Sequence, residues 1–462
     1  MKLSEIAQAL DQPDDPRIRE AIRQEVLGAD ASIVVLDDDP TGNQTVHNVP
    51  VLTTWDSKAL EKELARQTPL FFILTNSRSM TAPEAEKLNF EIGARLQVAA
   101  RNTHRRFRLI SRSDSTLRGH YPLEPVTLKK ACFDTEVPEV LVPAFPEGGR
   151  YTTGNVHYVR EQDQLIPVGE TPFAADKVFG FSSSNLLRWV MEKYQGQIGE
   201  EEISSISREL ILEKPVSFLT DHLMQLRARV VVVNALSYRE LEKLALAFHR
   251  AEGLGKTFLY RTAASFVRAY AGLEERPLLR REDFGRSAVG GLILVGSHVP
   301  KTTRQLEHLV RLEDLLSMEL NVDELLAGGW DRIEPEIIRP MNEALAAGKD
   351  VLIYTSREQV SGKTDAEHIA IGQKVSSALV SMVRALGVRP RYVLAKGGIT
   401  ASDLATRALE VKRALVLGQV YPGIPVWRLG PETPFEGLPF IVFPGNVGQD
   451  DTLLQMVEKW RL

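Results

Sequence analysis

Three consecutive aspartates end an apolar run near the start of the chain, in Val34-Val35-Leu36-Asp37-Asp38-Asp39-Pro40-Thr41-Gly42-Asn43. Like charges so close together cost free energy unless a cation or a polar ligand compensates them. The cluster suits a base, a polyol site or a metal; a solvated turn in which Asp satisfies backbone donors has the same composition. A second stretch, Leu74-Thr75-Asn76-Ser77-Arg78-Ser79, offers a guanidinium that can clamp a carboxylate or phosphate through two parallel hydrogen bonds. Its hydroxyls would equally cap the helical pattern that follows. The third stretch is Ser111-Arg112-Ser113-Asp114-Ser115-Thr116-Leu117-Arg118-Gly119-His120. Two arginines, one carboxylate and four hydroxyls within it make the best local anion site of the chain. Arg112 and Arg118 could hold an acid, Ser113 and Ser115 could read hydroxyls, and Asp114 could take a proton from an alcohol.

The C-terminal part carries glycine turns instead. Gly296-Ser297-His298, Lys396-Gly397-Gly398-Ile399-Thr400 and Gly445-Asn446-Val447-Gly448 each follow an apolar run. Glycine between a strand and a helix lets bare backbone N–H groups reach a phosphate. Three such turns in one region suggest a phosphate cradle more than any one does, though each alone is ordinary turn chemistry. Ser361-Gly362-Lys363-Thr364 imitates half a phosphate loop. That motif needs glycine five positions before Gly362, and Arg357 stands there. G-x-G-x-x-G, H-E-x-x-H and G-x-S-x-G are absent from the sequence, so nucleotide binding would be of a nonstandard type.

These stretches need rigid elements to hold them. Short apolar runs predict strands at Ser32–Leu36, Leu70–Leu74, Arg108–Ser111, Val140–Pro143, Val230–Val233, Leu292–Val295, Val351–Tyr354, Tyr392–Ala395, Ala414–Val416 and Ile441–Phe443. Helical patterns lie between them, as at Pro83–Arg101, Tyr238–Glu252, Thr302–Leu312, Glu334–Ala347 and Glu367–Leu386. The alternation predicts an α/β fold with mostly parallel sheets flanked by helices. In such folds ligands sit beyond the carboxyl ends of strands, where every stretch named above falls. Gly148–Gly180 breaks the rhythm and reads as an antiparallel insertion. The charged, irregular Leu273–Ser287 suggests a boundary, with one domain at 1–275 and another at 285–462.

The chain has 462 residues, too many for one ordinary core. Its 56 Lys and Arg against 61 Asp and Glu give a net charge of −5, which excludes a globally basic footprint for nucleic acid. The single cysteine, Cys132, excludes an internal disulfide framework and a cysteine-based zinc site, and fits a reducing compartment. With neither an apolar leader nor a run of ~18 apolar residues, the expected location is cytoplasmic, away from membranes.

Taken in order, the motifs resemble the four-carbon acid sugar kinase family, whose members phosphorylate acids such as threonate, erythronate and 3-oxo-tetronate. The family's D-D-x-T-G is matched by Asp38-Asp39-Pro40-Thr41-Gly42, its S-R by Ser77-Arg78, and its K-x-D-S-T-x-R-G by Arg112–Gly119. Its G-S, G-G-x-T and G-N-x-G are matched by Gly296-Ser297, Gly397–Thr400 and Gly445–Gly448, with a proline-glycine turn at Pro422–Pro425 between them. The resemblance implies a sugar-acid-binding N-terminal domain and a nucleotide-binding C-terminal domain, with both ligands in the interdomain cleft. It implies substrate contacts at Asp38, Asp39, Arg78, Arg112, Ser113, Asp114, Ser115 and Arg118, and catalysis by Asp38 or Asp114. ATP would be held by Ser297, Gly397, Gly398, Ile399, Thr400, Gly445, Asn446, Val447 and Gly448, with Mg bridging its phosphates. Family members usually have lysine at Arg112, Asn at His120, an acidic residue near Thr45, and a lysine at Phe443 or Pro444.

The expected activity is therefore ATP-dependent phosphorylation of a hydroxyl on a four-carbon or similarly short sugar acid, in a chain that could form a homodimer. Two alternatives stay open at this point: an inactive or regulatory sugar-acid-binding protein on the same scaffold, and a non-kinase α/β enzyme acting on a phosphorylated sugar acid.

Overall fold

The computed structural model describes residues 2–10, 14–285, 287–358, 360 and 365–461. The chain divides into two units, Met1–Val46 with Thr54–Glu275, and His47–Thr53 with Arg276–Leu462. Along the chain the first strands are β1 (Ala31–Asp37), β2 (Val49–Leu52), β3 (Leu70–Leu74), β4 (Arg106–Arg112) and β5 (Glu139–Val142). Next come β6 (Arg150–Thr153), β7 (Val156–Glu161), β8 (Gln164–Pro167), β9 (Ile203–Ile206), β10 (Val230–Val233) and β11 (Leu259–Thr262). The C-terminal strands are β12 (Leu292–Val295), β13 (Leu316–Leu320), β14 (Val351–Thr355), β15 (Val393–Lys396), β16 (Arg413–Tyr421), β17 (Ile424–Leu429) and β18 (Pro439–Phe443).

In the first unit the strands run β3-β1-β4-β11-β5-β10-β9, with parallel pairing throughout. β1, β3, β5, β10 and β11 are buried along their whole length, and β1, β3 and β10 accordingly read as near-continuous apolar runs. The helix Ala82–Thr103 starts at a capping box between Thr81 and Glu84 and stops where His104 turns left-handed. It buries Ala85, Leu88, Ile92, Leu96 and Ala99, one face at helical spacing. The helix Tyr238–Gly253 repeats the plan with Ser237 and Glu240 as its capping box. β6, β7 and β8 form a separate antiparallel sheet.

In the second unit β13-β14-β12-β15-β18 are parallel, and β17, β16 and β2 continue the sheet antiparallel. β2 comes from the inserted segment His47–Thr53, paired along β16 from Leu52↔Arg413 to Val49↔Val416. The core here gathers Ile293, Val295, Leu352, Leu394, Ile441 and Phe443 with Trp460 from the last helix. Each unit is thus an α/β domain with a mostly parallel sheet flanked by helices. Among the described residues, no helix is long and apolar enough to cross a membrane.

Candidate functional site

In the first unit, register brings the candidate residues together. Asp37 lies level with Leu74 on β3 and Arg112 on β4, and Arg112 is level with Thr262 on β11. Directly opposed residues of neighbouring strands share a face, so Asp37 and Arg112 meet, at 3.0 Å, with both side chains buried. The two segments that follow these strands then interlock. Ser113 donates to Asp38 at 2.5 Å, and Arg78 clamps Asp38 through Nε at 3.2 Å and Nη2 at 2.5 Å. Arg78 also reaches Asp39 at 3.3 Å, and Asp39 accepts from the Thr41 amide at 2.8 Å. Two glycines make the packing possible. A Cβ on Gly42 would lie 2.0 Å from Asp37 Oδ1, and one on Gly119, at φ +120°, would lie 2.6 Å from Ser113 Oγ.

Charge states separate within this cluster. Burial raises the Asp37 carboxyl to about 7; Arg112 opposes the rise, and Asp38 and Asp39 add to it. Burial acts on Asp39 too, but Arg78, the Thr41 hydroxyl and Arg112 outweigh it and hold that carboxyl below the usual range. Asp114 is held lower still, because Arg78, Arg118 and the Thr116 hydroxyl override its burial. Asp114 accepts from Arg118 Nε at 2.7 Å.

Beside this network lies a small, shallow recess, partly open to solvent. Ser113, Asp114, Arg118, Arg261 and Thr262 supply its polar lining, and Leu117, Tyr121, Leu141, Pro143 and Trp189 its apolar wall. Tyr121 stacks on Trp189 at 4.5 Å. Leu117 takes φ +68°, a strained conformation for a bulky side chain, in the turn that aims Asp114 and Arg118. Arg261 is held by Ser111 and Glu124, each at 2.7 Å.

Arg78 and Arg112 thus face the aspartates, whereas Asp114 and Arg118 face the recess. Ser115 is buried, and its carbonyl accepts from His157 at 2.7 Å. The positions that differ from the family's usual residues have local roles. His120 Nε2 lies 3.1 and 3.0 Å from the carbonyls of Ser77 and Met80, and Thr45 donates to the Ala264 carbonyl at 3.0 Å. Sequence reasoning missed Arg261, Thr262, Tyr121 and Trp189. A usable signal existed: Leu259-Tyr260-Arg261-Thr262 is a short apolar run closed by an arginine and a threonine, as at the other strand ends.

In the second unit Val295, Lys396 and Phe443 are level across β12, β15 and β18, so the three glycine turns leave the sheet along one edge. They pack tightly. A Cβ on Gly296 would lie 2.3 Å from Thr400 Oγ1, and one on Gly445 would lie 2.6 Å from Ser297 Oγ. Thr302 joins two of the turns by donating to the Gly445 carbonyl at 2.9 Å and to Ser297 Oγ at 3.2 Å. Gly397 and Gly448 take φ of +116° and +86°, open to glycine with little strain. Gly398, Ile399 and Thr400 begin the helix Gly398–Asp403, while Asn446 and Val447 lie in the turn before the helix Thr452–Arg461. Val447 and Gln449 bind Gln305 through their carbonyls, at 3.0 and 2.7 Å. Arg357 donates to the Ser297 carbonyl at 2.7 Å. Ser361, Gly362, Lys363 and Thr364 lie outside the described residues. Lys396 is fully buried and donates to the Pro444 carbonyl at 3.2 Å. Among the described residues, no group of three or more His, Cys, Asp or Glu is arranged to hold a metal ion.

The family model of a sugar-binding N-terminal domain matches residues 33–270, and that of a nucleotide-binding C-terminal domain matches residues 292–453. The chain belongs to the family with this architecture, the four-carbon acid sugar kinases. Among solved structures it is similar to a Haemophilus influenzae protein from a family of unknown function, at 17% identity and a TM-score of 0.64, over 93% of this chain and 100% of that one. It is also similar to a Salmonella typhimurium protein described as a putative tRNA synthase, at 16% identity and a TM-score of 0.67, over 92% and 98% of the two chains. At these identities the likeness is one of fold. The search of curated proteins produced no significant match.

Proposed function

We propose that the protein is an ATP-dependent kinase that phosphorylates a hydroxyl of a four-carbon or similarly short sugar acid. The observation that carries this reading is the recess in the sugar-binding domain, where Asp114, Ser113, Arg118 and Arg261 converge beside an aromatic wall. Arg118, with Arg261 beside it, takes the substrate carboxylate. Ser113 and Thr262 read hydroxyls.

Asp114 is the acceptor for the attacking hydroxyl. Its depressed pKa makes it a weak base but keeps it an anion throughout the working range. Phosphoryl transfer needs orientation of the nucleophile more than early proton removal. Asp38 and Asp39, fixed by Arg78 and Ser113, hold the turns that aim Asp114, as do Arg112 and Ser115 on the other side.

In the other domain, Ser297, Gly397–Thr400 and Gly445–Gly448 cradle the ATP phosphates with backbone donors and two hydroxyls. Val299 and Ile399, 40% and 62% exposed, give the nucleotide base apolar surface to cover. Magnesium enters with ATP as the counter-ion of its phosphates. The test is ADP release from Mg-ATP with a panel of four-carbon sugar acids. Stimulation by one acid, lost in Asp114→Asn while that acid still binds, supports the reading. Retention of full stimulated turnover in Asp114→Asn refutes the role given to Asp114.

A further inference from the structure

Lys396 is the largest charged side chain buried in full within this fold's described core. It closes β15 one residue before Gly397, and its partner across the ladder is Phe443 on β18. Opposed residues share a face, and Lys396 Nζ accordingly lies 3.6 Å from the centre of the Phe443 ring. Its hydrogen bond goes to the carbonyl of Pro444, the residue before Gly445. An ammonium has three donors, so one carbonyl and one ring face leave it under-compensated. Lys301, another cation, on the helix Pro300–Leu309 that follows the Gly296 turn, further disfavours its charge. Two further groups at this edge, His298 and Arg357, are bonded only in part. His298 lies 3.4 Å from Thr355 Oγ1, and Arg357 donates through Nη2 to Ser297 and Thr303, while Arg357 Nε and Nη1 and His298 Nδ1 are buried without a hydrogen-bond partner. This buried amine precedes Gly397 in sequence and bonds the residue before Gly445, and both glycines pack against Ser297.

We propose that Lys396 supplies the positive charge beneath the phosphate cradle and takes up a proton from solvent as the nucleotide's phosphates bind. The inference rests on the ATP reading of this domain and deepens it. Burial, with Lys301 adding to it, brings the free amine down to about 7, so above neutral pH much of it is uncharged. A polyphosphate beside the amine favours the charged form, and the Nζ lone pair accepts the proton that completes the ammonium. Lys396 and Phe443 stand level on adjacent strands. Adjacent strands lie only about 4.8 Å apart, well within the reach of a lysine side chain.

The experiment is calorimetric titration of the full chain with Mg-ATP at pH 8, in buffers of differing ionisation enthalpy. Phosphate groups with a second pKa of about 6 take up little themselves at that pH. The wild type is expected to take up about one proton per nucleotide, since an amine at about 7 is roughly nine-tenths neutral there. Lys396→Met abolishes the uptake and weakens ATP at least about tenfold, while adenosine binds unchanged. Phe443→Lys in the Lys396→Met background restores part of the ATP affinity, because residue 443 projects from the same face. His298→Gln keeps the uptake.

Wild type that binds Mg-ATP without proton uptake overturns the proposal, whether or not the variants fold. Uptake that persists in Lys396→Met, or moves to His298, overturns it as well. Wild type that binds neither ATP nor ADP is a different failure, that of the ATP reading on which the inference rests.

Discussion

Replacing Gly42 by alanine tests the geometry of the aspartate cluster with a single methyl group. The added Cβ would lie 2.0 Å from Asp37 Oδ1 and 2.3 Å from Arg112 Nη1, far inside van der Waals contact. Neither neighbour has room to yield cheaply. The pair is buried and meets through Asp37 Oδ1 and Arg112 Nη1, while Asp37 Oδ2 and Arg112 Nε already lack a hydrogen-bond partner, so separating the charges strands both. Overpacking alone costs about 1–3 kcal/mol, and loss of a buried ion pair about 3–5 kcal/mol. The pair will shift before it breaks, so a destabilisation of about 3 kcal/mol is expected. Urea denaturation followed by fluorescence and by circular dichroism measures it, with an unchanged slope required for the comparison. Asp37→Ala makes space for the methyl, so in that background Gly42→Ala should cost at least about 1 kcal/mol less than in the wild type. A cost below about 0.5 kcal/mol, or strict additivity with Asp37→Ala, would refute the packing of Gly42 on this ion pair.

Further outcomes follow from the same structure. Asp37 has a folded pKa of about 7 against 3.8 unfolded, so its contribution is present at low pH and is lost as pH rises through about 7. The stability of wild type minus that of Asp37→Asn should therefore fall between pH 4 and 8; a constant difference contradicts the assignment. Lys396 has the opposite sign: a folded value of about 7 against 10.5 means the unfolded chain binds the extra proton between them. Its contribution to stability rises from pH 7 to 10, and Lys396→Met should flatten that rise in urea titrations across the window. Gly372, in the helix Asp365–Arg384, has open space where a Cβ would stand, so Gly372→Ala should stabilise by about 1 kcal/mol in urea unfolding.

Much of the fold was legible because strands buried on both faces are written as unbroken apolar runs. β1, β3, β10, β12, β14, β15 and β18 follow such runs, and Asp37 and Lys396 close two of them. The missed strands lacked that signature. β2 contains Pro50 and finds its partner β16 more than 300 residues later, a pairing that local pattern cannot show. β13 is half exposed and carries Ser317 and Glu319, so it reads as a loop. In the candidate site, the turns after β1, β3 and β4 were legible from their unusual density of charge. The assignment of partners was not, since it depends on register. Asp37 opposes Arg112 and Lys396 opposes Phe443 only once the strands are aligned. Trp189 reaches the recess from a helix far along the chain, where an aromatic residue at helical spacing looks like ordinary core.

The central claim is that this chain transfers a phosphoryl group from ATP to a hydroxyl of a short sugar acid. Phosphorus NMR of wild-type protein with Mg-ATP and each member of a four-carbon sugar-acid panel tests it most directly. The account predicts a phosphomonoester resonance with at least one acid, growing in step with ADP and absent without the acid. ATP and a sugar acid that both bind, yet yield no phosphoester across the panel, would contradict it.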